Sequence, residues 1–146
     1  MSRFQEKVEI KCPVDQVFAF ATDIHKLTEW DTAISNIEQT SEGPVGVGTT
    51  FKGANKAMGR QMPWTSRVTE YEQNKKWGEI ISSGATQINL QLYFGPWGEG
   101  TQFTQICDMK AGGLLKLLTP FLTSSMRKQT QASLRNLKDI LEGQAR

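Results

Sequence analysis

The stretch GLLKLLTPFLTSSMRKQTQASLRNLKDILEG, from Gly113 to Gly143, carries the long helical pattern that decides the fold of this chain. From Pro120 onward, apolar side chains recur at helical spacing along one stripe, formed by Leu122, Met126, Leu134, Leu137, Ile140 and Leu141. Thr119 is placed to cap the helix, with Pro120 at its first position, and Gly143 marks its end. We therefore predict one amphipathic helix from Pro120 to about Leu141.

The middle of this apolar stripe is polar. Thr130 and Ser133 lie where a tightly packed core would favour Leu or Ile. Their small side chains leave space and hydrogen-bonding capacity against whatever the helix covers. Two interpretations stay open: large side chains of a sheet fill this space, or the space holds a small molecule.

Length and charge limit the possible classes of protein. The chain has 146 residues, a formal net charge of +2 and two cysteines, Cys12 and Cys107. This length suits a single domain spanning residues 1–146, and the even balance of charges gives no reason to expect a nucleic-acid partner. No apolar run is long enough to span a membrane, and the N-terminus has no apolar signal region. We expect a cytoplasmic protein with free thiols.

The rest of the chain shows mostly the alternating pattern of strands. The predicted strands are Phe4–Lys11, Ile34–Thr40, Thr49–Gly53, Met62–Tyr71, Trp77–Ser82, Thr86–Phe94 and Thr101–Met109, and the predicted short helices are Pro13–Ala21 and Ile24–Trp30. Strands joined by tight turns must be antiparallel, and the long helix must bury its stripe on their sheet. The predicted class is α+β, with a curved antiparallel sheet around the C-terminal helix and two short helices after the first strand.

A set of motifs is spread along the chain, namely CPVDQVF (Cys12–Phe18), Trp30, GVGTTF (Gly46–Phe51), the strand start at Gly100–Thr101 and GLLKLLTPFL (Gly113–Leu122). Together they resemble the START/Bet v 1-like superfamily, also called SRPBCC, in its polyketide cyclase/dehydrase branch. The resemblance covers nearly the whole chain and is specific for fold rather than for function. It implies a helix-grip fold, in which a seven-stranded sheet wraps around the C-terminal helix and leaves an apolar cavity. Members bind lipids, sterols, polyketides, hormones or quinones, and some catalyse cyclisation or dehydration.

Inward-facing side chains of the sheet and helix are the candidate ligand-binding residues. They are Trp30, Phe51, Trp64, Leu90, Leu92, Phe94, Phe103, Gln105, Cys107, Leu122, Met126, Thr130 and Ser133. Trp77 is a further candidate for an aromatic wall. Gln105 is the most informative polar member, because a buried amide must find hydrogen-bond partners. It either anchors a ligand or bonds to Thr130, Ser133 or a buried water. Cys107 is expected to be inert, because an apolar setting raises the pKa of a thiol.

The sequence gives no nucleophile–base–acid arrangement, and we name no catalytic residue, metal ligand or cofactor. His25 is the one histidine, and we expect it at the surface. Glu70 and Glu79 are the acidic residues on strands that catalysis could use. Glu79 falls on the same side as Trp77 by alternation, but we expect it to be exposed to solvent at a strand edge.

Binding of a hydrophobic small molecule, of lipid, polyketide, sterol or quinone type, is the function that these features favour. We expect a monomer or a weak homodimer without stable membrane insertion. One alternative is a cyclase- or dehydratase-type enzyme in which Gln105 or Glu79 polarises a carbonyl or moves a proton. The other is a chaperone-like module for a protein partner or a quinone.

Overall fold

A seven-stranded sheet and one long helix make up the molecule, of which the computed structural model describes residues 2–57 and 59–144. The strands are β1 (Ser2–Ile10), β2 (Ile34–Gln39), β3 (Thr50–Ala57), β4 (Arg60–Glu72), β5 (Lys76–Ser83), β6 (Thr86–Trp97) and β7 (Gly100–Ala111). The helices are α1 (Val14–Ala21), α2 (Leu27–Trp30) and α3 (Thr119–Gln144), with a 3-10 helix, Gly113–Leu118, directly before α3.

The sheet has the strand order β1-β7-β6-β5-β4-β3-β2, and every pair of neighbours is antiparallel. Strands β2 to β7 follow one another in the chain as in space, and β1 pairs with β7 at the opposite edge from β2. A register shift between Val68 and Glu70 interrupts the β4–β5 pairing, as expected where a sheet bends. The predicted α+β helix-grip architecture is confirmed, and β5 is its central strand.

The C-terminal half of α3 packs into the hydrophobic core more tightly than its first half. In the C-terminal half, Leu134, Leu137 and Leu141 are almost completely buried in the main hydrophobic cluster. Phe18 of α1 meets this cluster edge-on against Phe94, with ring centroids 5.0 Å apart. Helix α1 and the C-terminal half of α3 therefore bury their apolar side chains in one cluster shared with the sheet.

Two carboxylates anchor α3 to β1 and the turn that follows it. Glu6 accepts hydrogen bonds from Arg127 Nε at 2.6 Å and from Gln131 Nε2 at 2.9 Å. Burial alone would raise the pKa of Glu6, but these hydrogen bonds hold it below its usual value. Glu142 accepts hydrogen bonds from Lys138 Nζ at 2.8 Å and from Lys11 N, in the turn after β1, at 2.9 Å. Both bonds lower the pKa of that carboxyl. Glu6, which lies between Phe4 and Val8 on the otherwise apolar side of β1, thus binds the helix through two of its polar side chains.

Several boundaries differ from the sequence prediction; for example, α2 begins at Leu27 rather than Ile24, and β6 extends to Trp97. Thr119 has helical dihedral angles, φ −52° and ψ −47°, so it is the first residue of α3 rather than its cap. Gly143 lies inside the helix, which continues to Gln144. The interval between the predicted strands Thr49–Gly53 and Met62–Tyr71 is largely strand, because β3 and β4 stay paired as far as Ala57 and Arg60. Met58, in the same interval, lies outside the described residues. Within the described part of the chain, no helix is both long and apolar enough to cross a membrane.

Candidate ligand-binding cavity

A cavity of about 230 Å³ lies between the concave face of the sheet and α3. The sheet contributes Ile34, Ile37, Phe51, Asn55, Trp64, Trp77, Glu79, Ile81, Ile88, Leu90, Leu92, Gln105 and Cys107. The helix contributes Met126, Gln129, Thr130 and Ser133, and the α1–α2 region adds Ala21, Thr22, Ile24, Leu27, Trp30, Asp31 and Ala33. The cavity therefore lies under the first half of α3, where the stripe is polar and its side chains are small.

Most of the predicted ligand-binding residues meet around this cavity. They are Trp30, Phe51, Trp64, Leu90, Leu92, Gln105, Cys107, Met126, Thr130 and Ser133. Phe94 and Phe103 lie instead in the core, with ring centroids 5.0 Å apart. Phe103 supports the wall from behind, because its ring packs edge-on against Trp30 at 6.3 Å. Leu122 is partly buried on the helix and does not line the cavity.

Hydrogen bonds and close packing hold the aromatic wall in place. Trp64 Nε1 donates to Asn55 Oδ1 at 2.8 Å. The Trp64 ring lies directly over Gly53, where an added Cβ would come within 2.6 Å of the ring and 2.5 Å of the Asn36 carbonyl oxygen. Only glycine leaves the indole this space. The position of Trp64 on the cavity wall thus depends on Gly53, which does not itself line the cavity.

Ser133 on the helix and Gln105 on β7 each have a protein partner. Ser133 Oγ accepts a hydrogen bond from Thr32 N at 3.1 Å and lies 3.3 Å from Thr32 Oγ1. Gln105 Nε2 donates to Cys107 Sγ at 3.6 Å, so the partner of the amide is neither Thr130 nor Ser133. Sulfur is a weak acceptor, which leaves the amide capacity for a stronger bond. Burial raises the pKa of Cys107 to about 11, which is the direction expected for a thiol in an apolar setting.

Glu79 corrects the sequence prediction, because its side chain faces the cavity from the central strand of the sheet. Alternation had placed it on the correct side with Trp77, but β5 is not an edge strand. Burial raises the pKa of Glu79, and a hydrogen bond from Trp77 Nε1 at 3.1 Å offsets part of this effect. Ser66 Oγ has no partner of good geometry among the described residues, yet it approaches this carboxyl closely enough to lower its pKa.

Asp31 is the second carboxyl in the cavity, and sequence analysis did not assign it a role. It follows α2, and its Oδ1 accepts a hydrogen bond from Ala33 N at 2.9 Å. Burial raises the pKa of Asp31, and backbone hydrogen bonds offset part of this effect. The Asp31 charge adds a smaller increase to the pKa values of Glu79 and Cys107, which burial already raises.

Strand alternation predicts some of the further residues that line the cavity, whereas no sequence pattern predicts others. Ile88 lies two residues before Leu90 on β6, and Ile81 lies two residues after Glu79 on β5. Side chains two apart on a strand face the same side of the sheet, so this spacing alone predicts that both line the cavity. Asp31 lies in a connection without periodicity, where tertiary packing decides the direction of a side chain. His25 is exposed, as predicted. Within residues 2–57 and 59–144, no group of His, Cys, Asp and Glu side chains is arranged to hold a metal ion.

Comparison with known proteins supports this architecture. The di-domain ARO/CYC StfQ from the steffimycin biosynthetic pathway superposes with a TM-score of 0.83 at 14% identity, over 98% of this chain and 52% of that chain. TTHA0849 from Thermus thermophilus gives a TM-score of 0.83 at 17% identity, over 99% of this chain and 100% of that chain. Ara h 8.0201 gives 0.74 at 14% identity, over 96% of this chain and 97% of that chain. These identities establish a shared fold only.

Sequence comparison gives the family. A search of curated proteins found no match. The profile of the family described as polyketide cyclase/dehydrase and lipid transport matches residues 1–142. With the helix-grip fold and an apolar cavity between sheet and helix, this match shows that the chain belongs to the polyketide cyclase/dehydrase and lipid transport family.

Proposed function

We propose that this protein binds one hydrophobic small molecule, of lipid, polyketide, sterol or quinone type, in the cavity between the sheet and α3. The observation that carries the proposal is the cavity itself, a space of about 230 Å³ with a mainly apolar and aromatic wall. Ligand pockets typically measure about 300–1,000 Å³, so this one suits a molecule of modest size. The family description, which includes lipid transport, supports the same function.

The energetic cost of such a space supports a binding role over an accidental packing defect. At about 24 cal/mol per Å³, a closed and dry apolar void of this size would destabilise the fold by roughly 5 kcal/mol, which is the upper limit for this partly open cavity. Small domains have a total stability of only about 5–15 kcal/mol. Larger side chains at Thr130 and Ser133 would fill the space from the helix. A sequence that keeps small residues there keeps the room for a ligand.

A space-filling substitution tests the proposal. Leu90 lies on the cavity wall of β6, whereas the neighbouring Asn89 is exposed on the outer face. We expect Leu90→Trp to weaken binding of an environment-sensitive apolar dye by about tenfold or more, since the indole takes the volume of the ligand. Asn89→Trp adds the same ring outside the cavity and should leave the affinity unchanged. Equal dye affinity in both variants and the parent protein would place the dye outside the cavity and refute the proposal.

A second candidate function, acid–base catalysis of a cyclisation or dehydration, is favoured by one observation. Glu79 faces the cavity, and burial raises its pKa towards the range in which a carboxyl can both donate and accept a proton. Under this alternative, Glu79→Gln abolishes turnover of a bound polyketide-type substrate and leaves its binding intact. Binding without any turnover in the parent protein would leave the carrier function alone.

A further inference from the structure

Three large apolar side chains are exposed where the 3-10 helix leads into α3, and we call them the apolar patch. The exposed fraction is 82% for Leu117, 52% for Leu118 and 76% for Phe121. Leu117 and Leu118 lie four and three residues before Phe121, a spacing that makes side chains neighbours on a continuous helical segment. All three lie outside the hydrophobic core. Neighbouring exposed apolar side chains of this kind typically mark an interaction surface.

Strand register brings basic side chains to the end of the sheet that adjoins the apolar patch. The end of β7 lies beside the start of β6, the end of β5 and the β3–β4 turn, because neighbouring strands are antiparallel. The exposed basic residues at this end are Lys56 and Arg60 beside the β3–β4 turn, Lys110 of β7 and Lys116 of the 3-10 helix. Asp108 of β7 lies nearby, and its Oδ1 is 4.0 Å from Nε of Arg3, which offsets its charge. This end of the molecule is therefore positively charged.

The first half of α3 continues the positive charge. Segment 109–138 has no Asp or Glu, and its basic residues are Lys110, Lys116, Arg127, Lys128, Arg135 and Lys138. Lys128 lies seven residues after Phe121, so two helical turns place these two exposed side chains on one face of α3. In the described part of the chain, Lys116 and Lys128 form no ion pair. Their charges are available to a partner.

We propose that the apolar patch and the basic side chains around it dock reversibly on an anionic lipid surface. The patch enters the boundary between headgroups and acyl chains, while Lys116 and Lys128 attract the anionic headgroups. A second copy of this chain fits less well, because a two-fold interface would set the same basic side chains against each other. A nucleic acid would use the charge but leave the apolar patch exposed. This inference goes beyond the proposed ligand binding and does not depend on it.

Sedimentation with sucrose-loaded vesicles tests this inference. One vesicle contains phosphatidylcholine alone, and the other is a mixture of phosphatidylcholine and phosphatidylserine. We expect the protein to bind the mixed vesicles about tenfold or more tighter. This binding should weaken between about 0.1 M and 1 M salt, where the Debye length falls from about 10 Å to about 3 Å. Equal binding of both vesicles, or binding of a DNA duplex without binding of the mixed vesicles, would overturn the inference. Failure to bind either vesicle would also overturn it.

Matched charge reversals separate the basic end from the net charge of the chain. Lys116→Glu and Lys75→Glu change the net charge equally, but Lys75 is exposed in the β4–β5 turn at the opposite end of the sheet. Lys116→Glu should weaken binding to the mixed vesicles by about tenfold or more, and Lys75→Glu should leave it within about twofold. An equal loss in both variants would show that net charge alone attracts the protein and would contradict the assignment.

Matched substitutions of exposed aromatic residues test the apolar contribution. Trp97 is 51% exposed and lies at the end of β6 remote from the apolar patch. Phe121→Ser should weaken binding to the mixed vesicles by about fivefold or more, whereas Trp97→Ser should leave it unchanged. Full affinity in Phe121→Ser would contradict insertion of the patch. Leu90→Trp fills the cavity and leaves the patch intact, so a loss of vesicle binding in this variant would place the lipid contact in the cavity instead.

Discussion

At the scale of single residues, Glu79 is held where its charge is unfavourable to folding. Because burial raises its folded pKa, the stability associated with this group is fully present below its ordinary pKa of 4.5 and is lost as pH rises through the higher folded value. Residues retained at a cost to stability are typical of functional sites. The position of Glu79 on the cavity wall agrees with the proposed ligand-binding site.

The loss of stability on ionisation of Glu79 leads to a prediction for Glu79→Gln. The amide keeps an oxygen for Trp77 Nε1 and never becomes charged, so the variant should melt at a higher temperature than the parent at neutral pH. The difference should shrink as pH falls from about pH 8 to about pH 4, where the parent carboxyl is also neutral. Thermal unfolding followed by circular dichroism measures the difference in melting temperature between variant and parent. A difference that does not change with pH would show that Glu79 is solvated like a surface carboxyl.

Alternation along the strands explains which site residues the sequence could predict. It placed Leu90, Leu92, Gln105 and Cys107 on one face, because side chains of a strand alternate between the two faces of a sheet. It could not tell where the cavity ends along that face. Phe103 points to the same side but lies in the core that α1 and the C-terminal half of α3 complete. Such limits depend on how elements pack, which no local pattern contains.

At the scale of elements, α3 combines two roles along its length. Its C-terminal half is packed in the core through Leu134, Leu137 and Leu141, and its first half covers the cavity with Met126 and Thr130. Amphipathic periodicity predicted the stripe correctly, and the polar middle marked the change between the two halves. Strand order was harder to predict, since the central position of β5 depends on pairing between distant segments.

The two halves of α3 should respond differently when a large side chain is shortened to alanine. Leu137 is completely buried, so Leu137→Ala should destabilise the protein by about 2–5 kcal/mol, through lost burial and a new cavity. Met126→Ala enlarges an existing cavity and should cost less stability, while changing the affinity for the apolar dye. Chemical denaturation and dye titration of both variants measure the two effects. A larger loss of stability in Met126→Ala would show that the first half of α3 is packed like the second.

At the scale of the whole molecule, the sheet, α1 and α3 enclose a hydrophobic core that is continuous with the cavity wall. Trp30, Phe51 and Trp64 belong to the hydrophobic cluster and also line the cavity under the first half of α3. The outer surface also carries apolar side chains near the start of α3, where Leu117, Leu118 and Phe121 are exposed. An apolar ligand thus has two places to bind, and affinity alone does not distinguish them.

Solution NMR of protein with labelled Ile and Leu methyl groups, titrated with decanol, makes this distinction most directly. If the cavity is the binding site, saturable shifts appear at methyl groups of its wall, namely Ile81, Ile88, Leu90 and Leu92. Leu137 and Leu141, in the packed core, should shift little. Shifts confined to the exposed Leu117 and Leu118, with the wall methyl groups unchanged at saturation, would contradict a cavity-bound ligand.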